Sequence, residues 1–315
     1  MPESINVGPF AAGKGQKQSG MLAVPGTNIE IPVTIINGTG DGKTMVITGG
    51  THGGEFVGVE AANRLSQLDP PELCGALLIV HAANPPAFFG RMEYRGPLDG
   101  KNLHRCYPGK PGGTPTERIA YVIFHEVIKH ADFYFDLHGG DLHENLMPFA
   151  AYASAGGPET EKKSAEAAGF FGVPMAHKDS TGTSAIEVAS RTFGIPAMLG
   201  EIGSQGLWTE REVGMYIRGL KNIMKHLGIL PGEPEYLCDT RFSDELLDMV
   251  NIAATGCWYP CVKTGDVVKK GQKTGEVRDF FGKLVDELYA QRDGTVLYTI
   301  TALPVQSGEM VMGIG

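Results

Sequence analysis

Short apolar segments alternate with helical patterns up to about Leu230, and this alternation constrains the fold more than any other feature of the chain. The apolar segments that predict strands cover residues 30–36, 45–48, 76–82, 133–137 and 197–201. Apolar residues spaced three and four apart predict helices over residues 56–68, 116–130 and 210–227. Strands that alternate with helices are typical of a sheet covered by helices. We therefore expect an α/β domain with a mixed sheet flanked by helices.

The sequence changes character after the segment "GILPGEPEY" at 228–236, whose glycines and prolines end the helical pattern. Short β-like runs separated by glycines follow it and predict a compact all-β unit. Within this unit "VKTGDVVKKGQKTGEV" and "RDGTVLY" resemble the lipoyl and biotinyl carrier barrel. Because no MKM or DKA motif presents a carrier lysine, we interpret the unit as a structural cap. We expect an α/β domain over 1–236 and a barrel-sandwich domain over 237–315.

Composition excludes several classes of partner for this chain of 315 residues. Its net charge is −9 and its basic residues form no stripe interleaved with aromatics, so nucleic acid is not an expected partner. Apolar runs are too short to span a bilayer, and no secretory signal precedes the first strand. Five cysteines without paired spacing fit a reducing compartment, and we expect a cytoplasmic protein. The sequence leaves open whether copies assemble into a homo-oligomer.

The turn "THGGEF" after the second predicted strand holds two residues that bind metals in other proteins, His52 and Glu55. A phosphate-binding loop would need a lysine and a hydroxyl after its last glycine, and this turn has neither. A loop that turns into a helix directs an imidazole and a carboxylate three residues apart toward one point. These two residues alone leave a second interpretation open, in which Glu55 caps the helix and His52 is incidental.

Two further predicted strands also end in a histidine or glutamate next to glycines. "FYFDLHGG" places His138 before glycines, and "AMLGEIG" places Glu201 between glycines. Carboxyl ends of strands border the ligand crevice of open α/β sheets, so these ends can bring His52, Glu55 and His138 together. Two histidines and one glutamate are a donor set for catalytic zinc, with Glu201 as the nearby general base. Alternation along the strand places Asp136 on the face of His138, where it can orient the ring.

Four motifs in this order resemble the succinylglutamate desuccinylase/aspartoacylase family, a branch of the zinc carboxypeptidase-like fold. They are "GGTHGGEFVG", "NPPAFFGRMEYRGPLDGKNLHRCYPG", "DLHGG" and "GEIGSQG". The resemblance covers most of residues 20–315 and implies zinc bound by His52, Glu55 and His138, with Glu201 as general base and acid. The C-terminal barrel makes the chain similar to bacterial deacylases of the family, including those that act on N-acetylated diaminobutyrate.

The resemblance also implies roles for residues in the longest motif. Arg95 matches the arginine that polarises the scissile carbonyl, although Arg91 in the same segment is an alternative. Arg105 matches the arginine that grips a substrate carboxylate, which suits a planar guanidinium. His104 stands where the family usually has asparagine, and we expect it to reshape the contact with the substrate.

The sequence therefore predicts a zinc-dependent amidohydrolase that removes an acyl group from a small N-acylated amino acid. The same chemistry would serve a zinc metallocarboxypeptidase or an esterase acting on a small carboxylate. A non-enzymatic ligand-binding module is the alternative from another class. The acyl group and the amino acid are not determined by the sequence.

Overall fold

The computed structural model of the chain describes residues 3–179, 181–243 and 247–315. Strands β1 to β5 follow one another without helices between them, and helices first enter the chain after β5. The bounds of β1 to β11 are Ser4–Val7, Phe10–Gly13, Gln16–Ala23, Glu30–Asn37, Thr44–Thr48, Ala76–Val80, Phe133–His138, Glu144–Leu146, Phe149–Ala153, Met175–Asp179 and Ala197–Glu201. Helices α1 to α6 cover Phe56–Leu65, Pro85–Gly90, Pro115–Val122, Pro158–Phe171, Ala185–Phe193 and Glu210–His226. Strands β12 to β20 cover Arg241–Ser243, Asp248–Asn251, Gly256–Pro260, Val267–Val268, Lys273–Arg278, Leu284–Tyr289, Gly294–Ile300, Pro304–Val305 and Met310–Ile314.

A nine-stranded mixed sheet forms the centre of the larger part of the molecule, in the order β12-β10-β9-β11-β7-β5-β6-β4-β3. Strand β7 is parallel to both neighbours, β5 and β11, so the three strands end at one edge of the sheet. Strand β9 runs antiparallel to β11, and β10 is parallel to β9. The mixed α/β sheet that the sequence predicts is confirmed.

Helices cover both faces of this sheet because its central strands are apolar on both sides. Strand β7 shows the division, since Tyr134 joins one buried cluster while Phe133 and Phe135 join the other. The first cluster contains residues of α3 and α5, such as Ile119 and Ile186. The second contains residues of α1, α4 and α6. Each face of the sheet is therefore shielded from water by packed helices.

The helices that the sequence predicts are confirmed with small shifts at their ends. Helix α1 begins at the predicted residue and ends three residues early, because Ser66 caps it. Helix α3 gives way to a π-helical turn, Ile123–Val127, and then to a 3₁₀ turn, Ile128–His130. All five predicted strands are present, and β11 has the predicted bounds.

The C-terminal residues after β12 form two antiparallel sheets, of which one has the order β13-β20-β18-β15 and the other β17-β16-β14-β19. Their shared core contains Trp258, Val277, Val296 and Met312. Strand β12 does not belong to them, since it pairs in parallel with β10 of the large sheet. Strand β8 is exchanged the other way: it follows β7 of the large sheet in the chain but pairs with β18 of the C-terminal part. The two parts of the molecule thus exchange edge strands.

No helix in the described parts of the chain combines the length and the apolar character that crossing a bilayer requires.

Candidate metal centre and active site

The central strands of the large sheet place chemically active side chains on one face. Asp136 and His138 lie two residues apart on β7, and Leu199 and Glu201 occupy the partner positions on β11. Partner residues of neighbouring strands project from the same face. His138 and Glu201 are therefore side by side at the carboxyl ends of two parallel strands.

His52 and Glu55 approach His138 from the turn between β5 and α1. Glu55 Oε1 lies 2.6 Å from His52 Nδ1, and Glu55 Oε2 lies 2.9 Å from His138 Nδ1. All three side chains are buried, and one ligand atom from each lies within 4.8 Å of the other two. The structure thus brings together the three predicted metal ligands.

The two histidines of this group fit a metal because each ring is held by its second nitrogen. His138 Nε2 lies 2.9 Å from Asp136 Oδ2, and His52 Nε2 lies 3.1 Å from Asn102 Oδ1. A ring that donates from Nε2 keeps the lone pair of Nδ1 free for a cation. Glu55 Oε2 is buried and has no hydrogen bond of normal geometry. Two imidazole nitrogens and one carboxylate oxygen are the donor set of a catalytic zinc site, so the residues present fit that ion.

The charges in this group are strongly coupled. Burial would raise the pKa of Glu55, but the charges of His52 and His138 outweigh it and lower that pKa to about 2. Burial would lower the pKa of His138, but Asp136 and Glu55 hold it well above its usual range. A metal ion at these Nδ1 atoms competes with protons for the same lone pairs, which opposes metal binding at low pH.

His104 lies beside the first group and contacts the same aspartate. Its Nδ1 is 3.4 Å from Asp136 Oδ2, and its ring meets that of His138 edge-on at 4.8 Å between centroids. His104, Asp136 and His138 are a second set of side chains with the spacing of metal ligands. Asp136 is also held by Thr48 Oγ1 and Thr51 Oγ1, at 2.5 and 3.2 Å. The buried carboxylate of Asp136 is thus the common partner of two histidines.

Glu201 lines the cavity in front of the metal group. Burial raises the pKa of its carboxyl well above the usual range. A raised pKa makes a carboxyl a stronger acceptor of a proton than an ordinary glutamate, which suits an acid–base group.

The three arginines of the long motif differ in position. Arg105 lines the cavity, and its Nη1 donates to Thr181 Oγ1 and Thr183 Oγ1 at 3.1 and 3.3 Å. Arg95 is exposed outside the cavity, and its Nη1 donates to the carbonyl oxygen of Gly100 at 3.0 Å. Arg91 is also exposed, with a φ of 49°, just after α2. Arg105 and His104 are therefore beside the metal group, whereas Arg95 and Arg91 are not.

The cavity that contains these residues has a volume of about 360 Å³ and is walled by both parts of the molecule. The C-terminal sheets contribute Leu247, Met249, Tyr298 and Met310. On the other side Tyr94 donates its hydroxyl to Glu144, which closes the wall next to His52. These wall residues are not predicted from the sequence, because tertiary packing alone brings them to the cavity.

Steric crowding explains why glycine occupies two positions next to the predicted metal ligands. A Cβ atom at Gly54 would overlap with the carboxylate of Asp141, and one at Gly139 would overlap with the carbonyl oxygen of Ile202. The turn after β5 therefore packs against the Asp141 side chain, and the turn after β7 packs against the backbone of Ile202, without space for a side chain.

The mixed α/β fold and the clustered site residues are those of a family of deacylases. Residues 41–227 match the succinylglutamate desuccinylase/aspartoacylase catalytic domain, and the chain belongs to this family. It is 31% identical over 314 residues to the N-alpha-acetyl-L-2,4-diaminobutyric acid deacetylase of Halomonas elongata, covering 93% of this chain and 90% of the relative.

Solved structures agree with this membership. The product-bound ectoine utilization protein EutE (DoeB) from Ruegeria pomeroyi matches with a TM-score of 0.86 and 27% identity, over 100% of this chain and 97% of that chain. A succinylglutamate desuccinylase/aspartoacylase from Rhodobacter sphaeroides matches with a TM-score of 0.84 and 27% identity, over 95% and 94% of the two chains.

Proposed function

We propose that this protein is a zinc-dependent deacylase that hydrolyses the amide bond of a small N-acylated amino acid. The observation that carries the proposal is the buried group of His52, Glu55 and His138, with Glu201 in register beside it and one cavity in front of them. The deacetylase of Halomonas elongata, which is similar along nearly its whole length, supports an amide as the substrate.

Each residue of the metal group has a defined task in this proposal. His52 and His138 would offer Nδ1, Glu55 would offer a carboxylate oxygen, and Asp136 and Asn102 would fix the rings from behind. When bound, zinc supplies positive charge that polarises a carbonyl and makes water a stronger acid.

Glu201 moves the proton in the proposed reaction. Its carboxylate takes a proton from the attacking water and transfers it to the amide nitrogen as the carbon–nitrogen bond breaks. Its partly buried position beside His138 limits the access of bulk water to that proton.

Arg105 binds the carboxylate of the amino acid in this proposal, because it is the arginine that lines the cavity and its fork is already oriented by two threonine hydroxyls. His104 also lines the cavity, and its ring lies against His138 at the metal group. A role for Arg95 on the scissile carbonyl requires its guanidinium to leave Gly100 and turn into the cavity.

We also propose that residues 237–315 form a lipoyl-like barrel-sandwich cap. The two antiparallel sheets around one core support it, as does their contribution of four apolar side chains to the cavity wall.

The test combines metal analysis with kinetics. Purified protein should contain about one zinc ion per chain, and a chelator should abolish hydrolysis of N-acetyl amino acids. Glu201→Gln should keep the zinc and lose roughly 10²-fold to 10⁴-fold in kcat. Glu212→Gln, a partly exposed carboxylate on α6 that does not line the cavity, is the control.

Hydrolysis that survives complete removal of metal would refute the metal-dependent mechanism. Zinc binding without hydrolysis of any N-acyl amino acid would favour a binding module instead.

A further inference from the structure

The sheet continues beyond Glu201 as an apolar surface. Strand β9 places Phe149 opposite Glu201 and Ala151 opposite Leu199, and β7 places His138 opposite Glu201 on the other side. Partner residues of neighbouring strands project from the same face, so these apolar side chains lie on the face that carries the metal group. Phe149 is two strands from His138, which is about 10 Å at the usual spacing between strands. An apolar floor therefore begins directly beside the acid–base group.

The C-terminal sheets add a second wall of the same character. Met249, Tyr298 and Met310 line the cavity together with the side chains of the floor. The Tyr298 hydroxyl donates to the sulfur of Met249 at 3.6 Å, so the polar atom of this ring is engaged within the wall. Methionine side chains adapt their shape to what they contact. We call the space between the floor and this wall the apolar subsite, and its residues are Phe149, Ala151, Leu199, Met249, Tyr298 and Met310.

The polar partners of the metal group lie on the opposite side. In the order β9-β11-β7-β5, strands β11 and β9 are both on one side of β7. His52 and its partner Asn102 approach from the side of β5, because His52 follows that strand. The charged residues Arg105 and Asp179 also line the cavity, but neither belongs to β9 or β11. A ligand group on the floor therefore meets mainly carbon and sulfur atoms.

The far end of the floor is also uncharged. His177 of β10 stands opposite Ala151, and its ring lies 5.8 Å from that of Phe149 between centroids. Burial lowers the pKa of the His177 imidazole, so the ring is neutral at pH 7. A charged group of a ligand would lose its water here without gaining a partner of opposite charge. The apolar subsite is therefore suited to an uncharged hydrocarbon group.

The cavity is larger than the reacting amide requires. A cavity of about 150 Å³ accommodates benzene, and this cavity has about 360 Å³. Met249 forms part of its wall while 42% of the residue's surface is exposed. Covering such a surface with a hydrocarbon chain is favourable, by about fourfold in affinity for each buried methylene. The space and the exposed surface both fit a chain of several carbon atoms.

We infer that the apolar subsite binds a hydrocarbon group of the substrate, so that the preferred substrates carry a chain of several carbon atoms next to the amide. This inference rests on the proposed deacylase function and adds a substrate class to it: amides that are apolar on one side of the scissile bond. The chain belongs either to the acyl group or to the side chain of the amino acid, and both place the same chemistry in the subsite. Met249 is then a specificity-determining residue.

The experiment compares two series of substrates that share N-acetyl-L-alanine. One series lengthens the acyl group, as in N-butanoyl- and N-hexanoyl-L-alanine, and the other lengthens the side chain, as in N-acetyl-L-norvaline and N-acetyl-L-norleucine. The values of kcat/KM are measured with zinc-loaded wild type. The values of Kd are measured by calorimetry with zinc-loaded Glu201→Gln, which should bind these compounds without consuming them.

Two variants are compared with wild type in the kinetic assay. Met249→Glu places a carboxylate at the apolar subsite. Met21→Glu is the matched control, since Met21 is an exposed methionine on β3 that does not line the cavity.

Wild type should prefer the longest compound of one series over N-acetyl-L-alanine by about 10-fold to 100-fold in kcat/KM, and Glu201→Gln should bind it more tightly by a similar factor. The series that shows this preference identifies which side of the amide enters the subsite. Met249→Glu should reduce the preference to less than about threefold, because a carboxylate in the wall opposes an apolar ligand. Met21→Glu should keep the preference.

Several results would overturn the inference. A wild type that hydrolyses N-acetyl-L-alanine as well as every longer compound refutes the subsite, while the deacylase function stands. An equal loss on short and long compounds in a folded, zinc-loaded Met249→Glu protein also refutes it. If no compound of either series is hydrolysed, the proposed function fails, and the calorimetric Kd values decide the subsite by themselves: tighter binding of a long compound supports it, and equal binding refutes it.

Discussion

Asp136→Asn tests whether the carboxylate behind His138 prepares the ring for a metal ion. In the folded chain Asp136 Oδ2 accepts from His138 Nε2 at 2.9 Å, and Oδ1 accepts from the hydroxyls of Thr48 and Thr51. Asparagine keeps the shape but removes the charge. If its NH₂ group faces His138, two donors meet and the ring has to change tautomer, which removes the Nδ1 lone pair that a metal needs.

The expected magnitude follows from these contacts. Loss of an outer partner of a metal-bound histidine typically weakens metal affinity by about 10-fold to 100-fold, which corresponds to about 1.4 to 2.8 kcal/mol. Asp136→Asn should therefore raise the Kd for zinc within this range. The affinity is measured by titrating metal-free protein against a fluorescent zinc chelator at fixed pH.

Asp132→Asn is the control for this variant. Asp132 precedes the other end of β7 and accepts the Thr44 N–H at 2.8 Å, far from the metal group along the strand. Its zinc affinity should equal that of wild type. An Asp136→Asn protein with unchanged zinc affinity and an intact fold would refute the reasoning, because His138 would then need no charged partner.

Two further substitutions test how the site is supported. Tyr216→Phe removes a buried hydroxyl that lies 2.5 Å from the carbonyl oxygens of both His138 and Gly200, so the free energy of unfolding in urea should fall by about 1 to 3 kcal/mol; an unchanged midpoint and slope would show that the hydroxyl is not needed. Leu297→Ala opens a cavity where the C-terminal sheet packs on Phe149, so the free energy of unfolding should fall by about 2 to 5 kcal/mol. A melting temperature like that of wild type would mean that the two parts of the molecule are not coupled there.

The central strands could be predicted because each is a continuous apolar run ended by glycine. Strand β11 was located to the residue, since Ala197–Glu201 lies between proline and glycine signals. Strands β9 and β10 were not identified, because "FAAYA" and "MAHKD" contain few β-branched residues and their burial comes from pairing within the sheet.

The metal group could be predicted because His138 and Glu201 stand at the carboxyl ends of apolar strands, where ligands bind in α/β sheets. Asn102 and Tyr94 lie in irregular segments whose position depends on long-range contacts such as the hydrogen bond from Tyr94 N to Asp141. The direction of an exposed arginine is also not specified by a motif. The predicted role of Arg95 stays a prediction, and its side chain points to Gly100 in this conformation.

The exchange of strand β8 connects the cap to the metal group. Glu144 follows the turn after His138 and pairs with Ile300 of β18, and the next residue, Thr301, donates its N–H to His143 O at 2.6 Å. The same Glu144 accepts the hydroxyl of Tyr94, whose ring packs edge-on against His52. The backbone between a metal ligand and the cavity wall is therefore ordered by both parts of the molecule at once. A substitution within the C-terminal sheets can for this reason alter the position of Glu144 without touching any residue of the site.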